Sequence, residues 1–232
     1  MFDPQDKIRR PFFQRHAQSV VRWFFRMFIL LFRTRVDGME RFPRMGPVLV
    51  CSNHQSNLDP LILGCAIPRP VNYLAKKQLF SFGPLGWFFG WNDVIALDRD
   101  SGLGGIKETL KRLKRKELII MFPEGTRSLD GEMRKVKSGF CVLVRKSKVP
   151  IMPVAIAGAF EALPRKSLLP NFSATLQVSF GEAIQPEEYG DLSEEELTSL
   201  VEEKIKECFA KARLLHGRCH ESRHSLRESS AL

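Results

Sequence analysis

The stretch Val48-Leu49-Val50-Cys51-Ser52-Asn53-His54-Gln55-Ser56-Asn57-Leu58-Asp59-Pro60 passes from apolar residues through a polar loop to an aspartate followed by proline. Its first part, "VLVCS", is a short uninterrupted apolar run, the pattern of a strand covered on both faces. Pro60 disfavours helical dihedrals at Asp59 and suits a first helical position, so Asp59 is the expected N-cap of a helix running to Ala66. Strand, turn and helix in this order begin an α/β unit. Further strand-type runs follow at "VNYLA" (71–75), "VIAL" (94–97), "LIIMF" (118–122), "IMPVAI" (151–156) and "ATLQVSF" (174–180). Helical stretches separate the earlier ones, from Ile106 through Leu113 and from Gly139 to Lys146. The alternation predicts one α/β domain with a mixed, largely parallel central sheet flanked by helices. Ligands of such sheets gather at the carboxyl ends of strands, where His54 and Glu124 stand.

Charge divides the chain. Of a formal net charge of +10 over 232 residues, +6 falls within residues 1–35, which hold eight Lys or Arg against Asp3 and Asp6. Residues 17–33, "AQSVVRWFFRMFILLFR", set aromatic and aliphatic side chains among Arg22, Arg26 and Arg33. That is too short and too charged for a span of about 20 apolar residues. Two readings remain: an interfacial membrane helix whose arginines reach lipid phosphates, or an amphipathic helix capping the core. The first is favoured, giving a membrane-associating segment at 1–38, a folded domain at 39–216 and a flexible polar tail at 217–232. Ser193 to Glu196 forms a capping-box pattern before an apolar helical stripe that is expected to end at Gly217. His216, His220 and His224 lack an acidic partner placed to complete a site, so no metal is expected. Five cysteines without a Cys-x-x-Cys fit a reducing compartment, and no cleavable signal is evident.

On one continuous helix, residues five apart point about 140° away from each other, so His54 and Asp59 can meet only across a turn. Folded back, the carboxylate can hold one ring nitrogen and leave the other to take a proton from a substrate hydroxyl. The plain alternative is a capping aspartate beside an incidental loop histidine. The second dense stretch is "FPEGTRS" (122–128). There Pro123 stops the strand, Gly125 allows close backbone approach, and Glu124, Thr126 and Arg127 offer an acceptor, a hydroxyl and a planar cation. An ordinary polar turn is its alternative. Residues 79–91, "LFSFGPLGWFFGW", serve as core or as a glycine-broken wall for an acyl chain. The basic run from Lys107 to Lys116 is a solvated helix face, or a surface for anionic lipid or an acidic carrier protein. There is no Gly-x-Ser-x-Gly elbow, no Gly-x-x-x-x-Gly-Lys loop and no Gly-x-Gly-x-x-Gly fingerprint, which weighs against hydrolase, nucleotide and dinucleotide chemistry.

Together the two blocks resemble the glycerolipid acyltransferase family, most of all its bacterial 1-acylglycerol-3-phosphate (lysophosphatidate) acyltransferases. "NHQSNLD" resembles the His-x-x-x-x-Asp block and "FPEGTRS" the Phe-Pro-Glu-Gly-Thr-Arg block. "AKKQLFSFGPLGWFFGWNDVIALDR" (75–99) resembles the block between them, and "VPIMPVAIAG" (149–158) a late Val-Pro-Ile-x-Pro-Val block. Asp93 stands where the family commonly carries glycine, which bears on acyl or acceptor preference.

The resemblance implies an acyltransferase that needs no cofactor. His54 is the general base, oriented by Asp59. Arg99, Arg127 and Lys137 hold the acceptor phosphate, Glu124 holds its glycerol portion, and Gly125 and Thr126 shape the loop. Phe80, Phe82, Trp87 and Phe88 are the expected acyl-chain wall. The donor is acyl-CoA or acyl carrier protein, and the acceptor is a lysophospholipid or, as an alternative, glycerol 3-phosphate. The expected location is the cytoplasmic face of the inner membrane, peripheral or monotopic on an anionic surface, with no nucleic-acid partner. A non-catalytic basic membrane- or nucleic-acid-binding protein is the rival of another class, and it leaves His54, Asp59 and Glu124 without a shared role.

Overall fold

A computed structural model describes residues 31–76, 95–97, 103–165, 167 and 169–229. The strands are β1 (Arg35–Asp37), β2 (Val48–Ser52), β3 (Asn72–Lys76), β4 (Ile95–Leu97), β5 (Leu118–Met121), β6 (Ile151–Ala157) and β7 (Gln177–Phe180). They form one sheet in the order β1-β7-β6-β2-β5-β3-β4. Only β6 and β7 run antiparallel; the other five pairings are parallel. A mixed, largely parallel sheet is therefore the architecture, as the alternation of runs predicts.

The helices are α1 (Asp59–Ala66), α2 (Leu103–Lys114), α3 (Cys141–Ser147), α4 (Ala159–Ala162), α5 (Pro186–Tyr189) and α6 (Glu194–Ser229). Strand residues alternate between two covered faces. Val48 and Val50 of β2, Leu118 and Ile120 of β5, and Met152, Val154 and Ile156 of β6 pack against Ile62 and Leu63 of α1 and Ala159 of α4. Leu49, Cys51, Ile119 and Ile151 point the other way, onto Leu113 of α2, Val144 of α3 and Leu197, Val201 and Ile205 of α6. Every residue of β2 and β6 is buried, which explains why both read as unbroken apolar runs rather than alternating ones.

Three expectations change. Strand β1 lies within the segment assigned to membrane association, yet it pairs with β7, and Phe32 just before it is fully buried. The folded unit thus begins earlier than residue 39. A three-residue strand with charged ends carries no apolar signal to reveal it. Helix α6 does not stop at Gly217 but continues to Ser229, across the stretch expected to be a flexible tail. Gly217 keeps a negative-side φ instead of the left-handed turn of a C-cap glycine, and one glycine inside a helix costs only about 1 kcal/mol. Finally, Asp59 is the first residue of α1, not its cap: Leu58 holds the cap position and no side chain caps it. The expected interfacial helix, as far as residue 30, the wall residues Phe80, Phe82, Trp87 and Phe88, Asp93 and Arg99 lie outside the described residues. No helix among the described residues is long and apolar enough to cross a membrane.

Candidate active site

Strands β2 and β5 lie side by side and parallel, with Cys51 opposite Met121. His54 and Glu124 each stand three residues past that pair, so the two loops leave the sheet together. Three contacts fasten them. The His54 amide donates to Glu124 Oε1 at 2.7 Å. The Ser128 amide donates to the His54 carbonyl at 2.7 Å. The His54 imidazole stacks on the Phe122 ring, with centroids 4.1 Å apart and planes 17° apart.

On the other flank, β6 holds the same loop. Asn53 Nδ2 donates to the Ile156 carbonyl at 2.9 Å, and the Ile156 amide donates to Asn53 Oδ1 at 2.8 Å. Beyond β6, the Leu163 carbonyl accepts from Ser56 Oγ at 2.8 Å. Gln55 Nε2 donates to the Gly131 carbonyl at 2.5 Å. These anchors were not singled out in the sequence. Asn53, Gln55 and Ser56 are polar residues just past a strand end, and their own pattern carries no sign of the partners they find.

Asp59 closes the loop on itself. Its Oδ2 accepts from His54 Nδ1 at 2.7 Å, from the Gln55 amide at 2.7 Å and from the Ser56 amide at 2.8 Å. The carboxylate is fully buried while the histidine side chain keeps 19% of its surface. A carboxylate on Nδ1 requires the proton there, which leaves Nε2 as the basic nitrogen. Turning back to two loop amides, rather than forward to the helix, brings residues five apart into contact.

The carboxylate of Glu124 does something other than hold a ligand. Its Oε1 takes the His54 amide, its Oε2 takes the Arg134 amide at 3.0 Å, and the residue is 2% exposed. It joins the two loops by their backbones. Burial pushes its pKa up to about 7, against the opposing pull of those two amides. Gly125 has φ of +72° and donates its amide to the Phe122 carbonyl at 3.0 Å, a turn that favours glycine. A Cβ at Gly125 would lie 3.3 Å from Lys137 Nζ, so the lysine ammonium sits against this turn. The Lys137 amide also donates to the Pro123 carbonyl at 3.0 Å. Thr126 and Arg127 follow on the same loop, both partly exposed. Arg127 Nη1 is buried without a hydrogen-bond partner among the described residues.

Of the expected site residues, the structure thus brings His54, Asp59, Glu124, Gly125, Thr126, Arg127 and Lys137 together at the carboxyl ends of β2 and β5. Two nearby hydroxyl and thiol groups are not free nucleophiles. Ser128 Oγ donates to Asp130 at 2.9 Å, and burial pushes the Cys51 thiol up. His216, one of three histidines weighed as metal ligands, sits 2.9 Å from Thr175 Oγ1 instead.

The family described as Acyltransferase matches residues 33–157. The chloroplastic 1-acyl-sn-glycerol-3-phosphate acyltransferase BAT2 of Brassica napus is 28% identical over 166 residues, 70% of this chain and 47% of that one. The 1-acyl-sn-glycerol-3-phosphate acyltransferase of Bacillus subtilis is 27% identical over 179 residues, 75% of this chain and 86% of that one. The chain therefore spans about half the length of the plant relative and most of the Bacillus one. The crystal structure of the 1-acyl-sn-glycerophosphate acyltransferase PlsC from Thermotoga maritima superposes with a TM-score of 0.69 at 25% identity, covering 89% of this chain and 81% of that one. With a matched segment that runs from before β1 to the end of β6 and contains both loops, this chain belongs to the acyltransferase family.

Proposed function

We propose that the chain moves a fatty acyl group from an acyl thioester to the free hydroxyl of 1-acylglycerol 3-phosphate, forming phosphatidic acid for phospholipid synthesis. The observation that carries this is the His54 Nδ1 to Asp59 Oδ2 contact of 2.7 Å, which leaves Nε2 unblocked beside a loop bearing Arg127 and Lys137. The names of the relatives support the acceptor. Acyl-CoA and acyl carrier protein are both compatible donors.

His54 Nε2 takes the proton of the acceptor hydroxyl as its oxygen attacks the thioester carbonyl carbon. The tetrahedral adduct then expels the thiolate, which recovers the proton from the imidazolium. Asp59 faces the cationic ring throughout, and no acyl-enzyme is needed because a thioester is already activated. Arg127 and Lys137 hold the acceptor phosphate, while Glu124 positions the histidine through its backbone.

Residues 1–30, with their arginines and aromatic rings, are proposed to lie in an anionic membrane surface, at the cytoplasmic face of the inner membrane. Deleting 1–30 is expected to weaken binding to anionic liposomes, and unchanged binding would remove this part. The reaction itself is tested with purified protein, acyl-CoA and lysophosphatidate, by following thiol release. His54→Ala should lower the rate about 10²–10⁴-fold, the usual weight of a general base. A folded variant with undiminished transfer refutes the role of His54, and turnover confined to glycerol 3-phosphate or another lysolipid refutes the acceptor.

A further inference from the structure

We infer that Arg165, on the connection from β6 to β7 and outside all four sequence blocks, is a further cation of the acceptor-phosphate site, beside Arg127 and Lys137, and selects a phosphomonoester over a phosphodiester headgroup. This rests on the proposed function and adds to it a residue and a source of selectivity.

Three observations lead there. First, Arg127 keeps a buried guanidinium nitrogen, Nη1, without a hydrogen-bond partner among the described residues, although a buried unsatisfied donor is costly. Arginine carries five donors in a planar fork suited to phosphate oxygens, so a donor with no partner among the described residues is one a ligand can satisfy.

Second, the β6–β7 connection is tied to the histidine loop. The Leu163 carbonyl accepts from Ser56 Oγ at 2.8 Å, and the Asn171 amide donates to the Ala162 carbonyl at 2.7 Å, closing the intervening loop. Arg165 stands two residues past the Ser56 contact, with its side chain exposed. The connection therefore delivers a cation to the rim of the crevice that holds His54.

Third, the two guanidiniums feel each other. Burial lowers the Arg127 pKa most, and the positive charge of Arg165 lowers it further, while the Asp59 carboxylate acts in the opposite sense. That carboxylate already receives three donors on one oxygen, so it is committed to the histidine loop. Neighbouring like charges are unfavourable in the empty protein, and an anion between them reverses the sign. A phosphomonoester carries a charge of about −1.5 to −2 at neutral pH and offers three free oxygens. A phosphodiester carries one charge and offers two free oxygens, so a second arginine has less to bind.

The test compares wild type, Arg165→Gln and Arg165→Lys with lysophosphatidate, a monoester, and lysophosphatidylglycerol, a diester. Both KM and kcat are measured, together with equilibrium binding of each lipid in the absence of acyl donor. Arg165→Gln should raise KM and Kd for lysophosphatidate on the order of tenfold, with a smaller change in kcat, and move the diester values less than about threefold. Arg165→Lys should recover part of the loss. Unchanged lysophosphatidate constants in Arg165→Gln, or an equal loss for both lipids, overturn the inference. If wild type binds lysophosphatidate without turning it over, the proposed function fails while the binding comparison still decides the role of Arg165. If wild type neither binds nor turns it over, both are overturned.

Discussion

Replacing Asp59 by asparagine separates the charge of the carboxylate from its position. Three donors converge on Oδ2, and two of them, the Gln55 and Ser56 amides, are backbone groups that can accept no hydrogen bond from a side-chain amide. An asparagine must therefore turn its oxygen to the Oδ2 position, where His54 Nδ1–H still finds an acceptor and the tautomer is kept. Its amide nitrogen takes the Oδ1 position, which is buried and has no partner already. What is lost is charge. Hydrogen bonds to charged groups contribute about 1.5–3 kcal/mol against about 0.5–1.5 kcal/mol for neutral ones. Two of the three bonds have the same donor throughout the reaction and cancel from the barrier; only the bond to His54 strengthens as the ring becomes cationic. The difference between those ranges, a loss of about 1–1.5 kcal/mol from the transition state, predicts kcat lower by about 5- to 13-fold. The assay is steady-state thiol release with saturating lysophosphatidate, beside His54→Ala. A rate within twofold of wild type refutes the electrostatic role of Asp59. A fall as deep as that of His54→Ala at its 10⁴-fold limit refutes the argument that the two amides lock the oxygen in place.

Two further outcomes follow from the second loop. Glu124 has a folded pKa of about 7 against an ordinary 4.5. Between those values the unfolded chain has released the proton and the folded chain retains it, so stability falls as pH rises through that window and levels off above it. The shift corresponds to about 3 kcal/mol, and chemical denaturation from pH 4 to 8 should show this slope in wild type and lose it in Glu124→Gln. Gly125→Ala places a side chain at φ +72° and 3.3 Å from Lys137 Nζ, so it should cost about 1–2 kcal/mol in denaturation and raise KM for the acceptor by displacing the lysine. Unchanged stability and KM would mean that the turn relaxes without moving Lys137.

The elements that build the site were legible because each states itself locally. Strands β2 and β5 are apolar runs, Pro60 marks a helix start, and the polar residues after each run fall at strand ends where such sheets bind ligands. Less legible were features defined by a partner far along the chain. Strand β1 exists only through its pairing with β7. Asn53 matters through Ile156, more than a hundred residues away. Glu124 has the right chemistry for an acceptor contact, and only the positions of the His54 and Arg134 amides show that both its oxygens are occupied. The mismatch at Asp59 is instructive in a different way. A cap and a loop-closing carboxylate use the same residue at the same helix start, and the direction in which it turns is decided by the conformation of residues 54–58, which no spacing rule encodes.

The place of β2 in the sheet explains why the histidine loop is so strongly held. From β2 the chain reaches β3 by way of α1 on the side of β5, whereas β6 lies on the opposite side, so the crevice opens where the connections diverge. A loop leaving the sheet at that point has neighbours on both flanks, and it uses both, with Glu124 from the β5 side and Ile156 and Leu163 from the β6 side. Most of these fastenings act on the backbone or on residues beside His54. Among the described residues, the imidazole itself meets Asp59 at its edge and Phe122 at its face. Position is thus set by the scaffold and the tautomer by a single carboxylate. It follows that loosening either flank should move the base away from its substrate and lower the rate even with Asp59 intact, whereas neutralising Asp59 should lower the rate with the loop still in place.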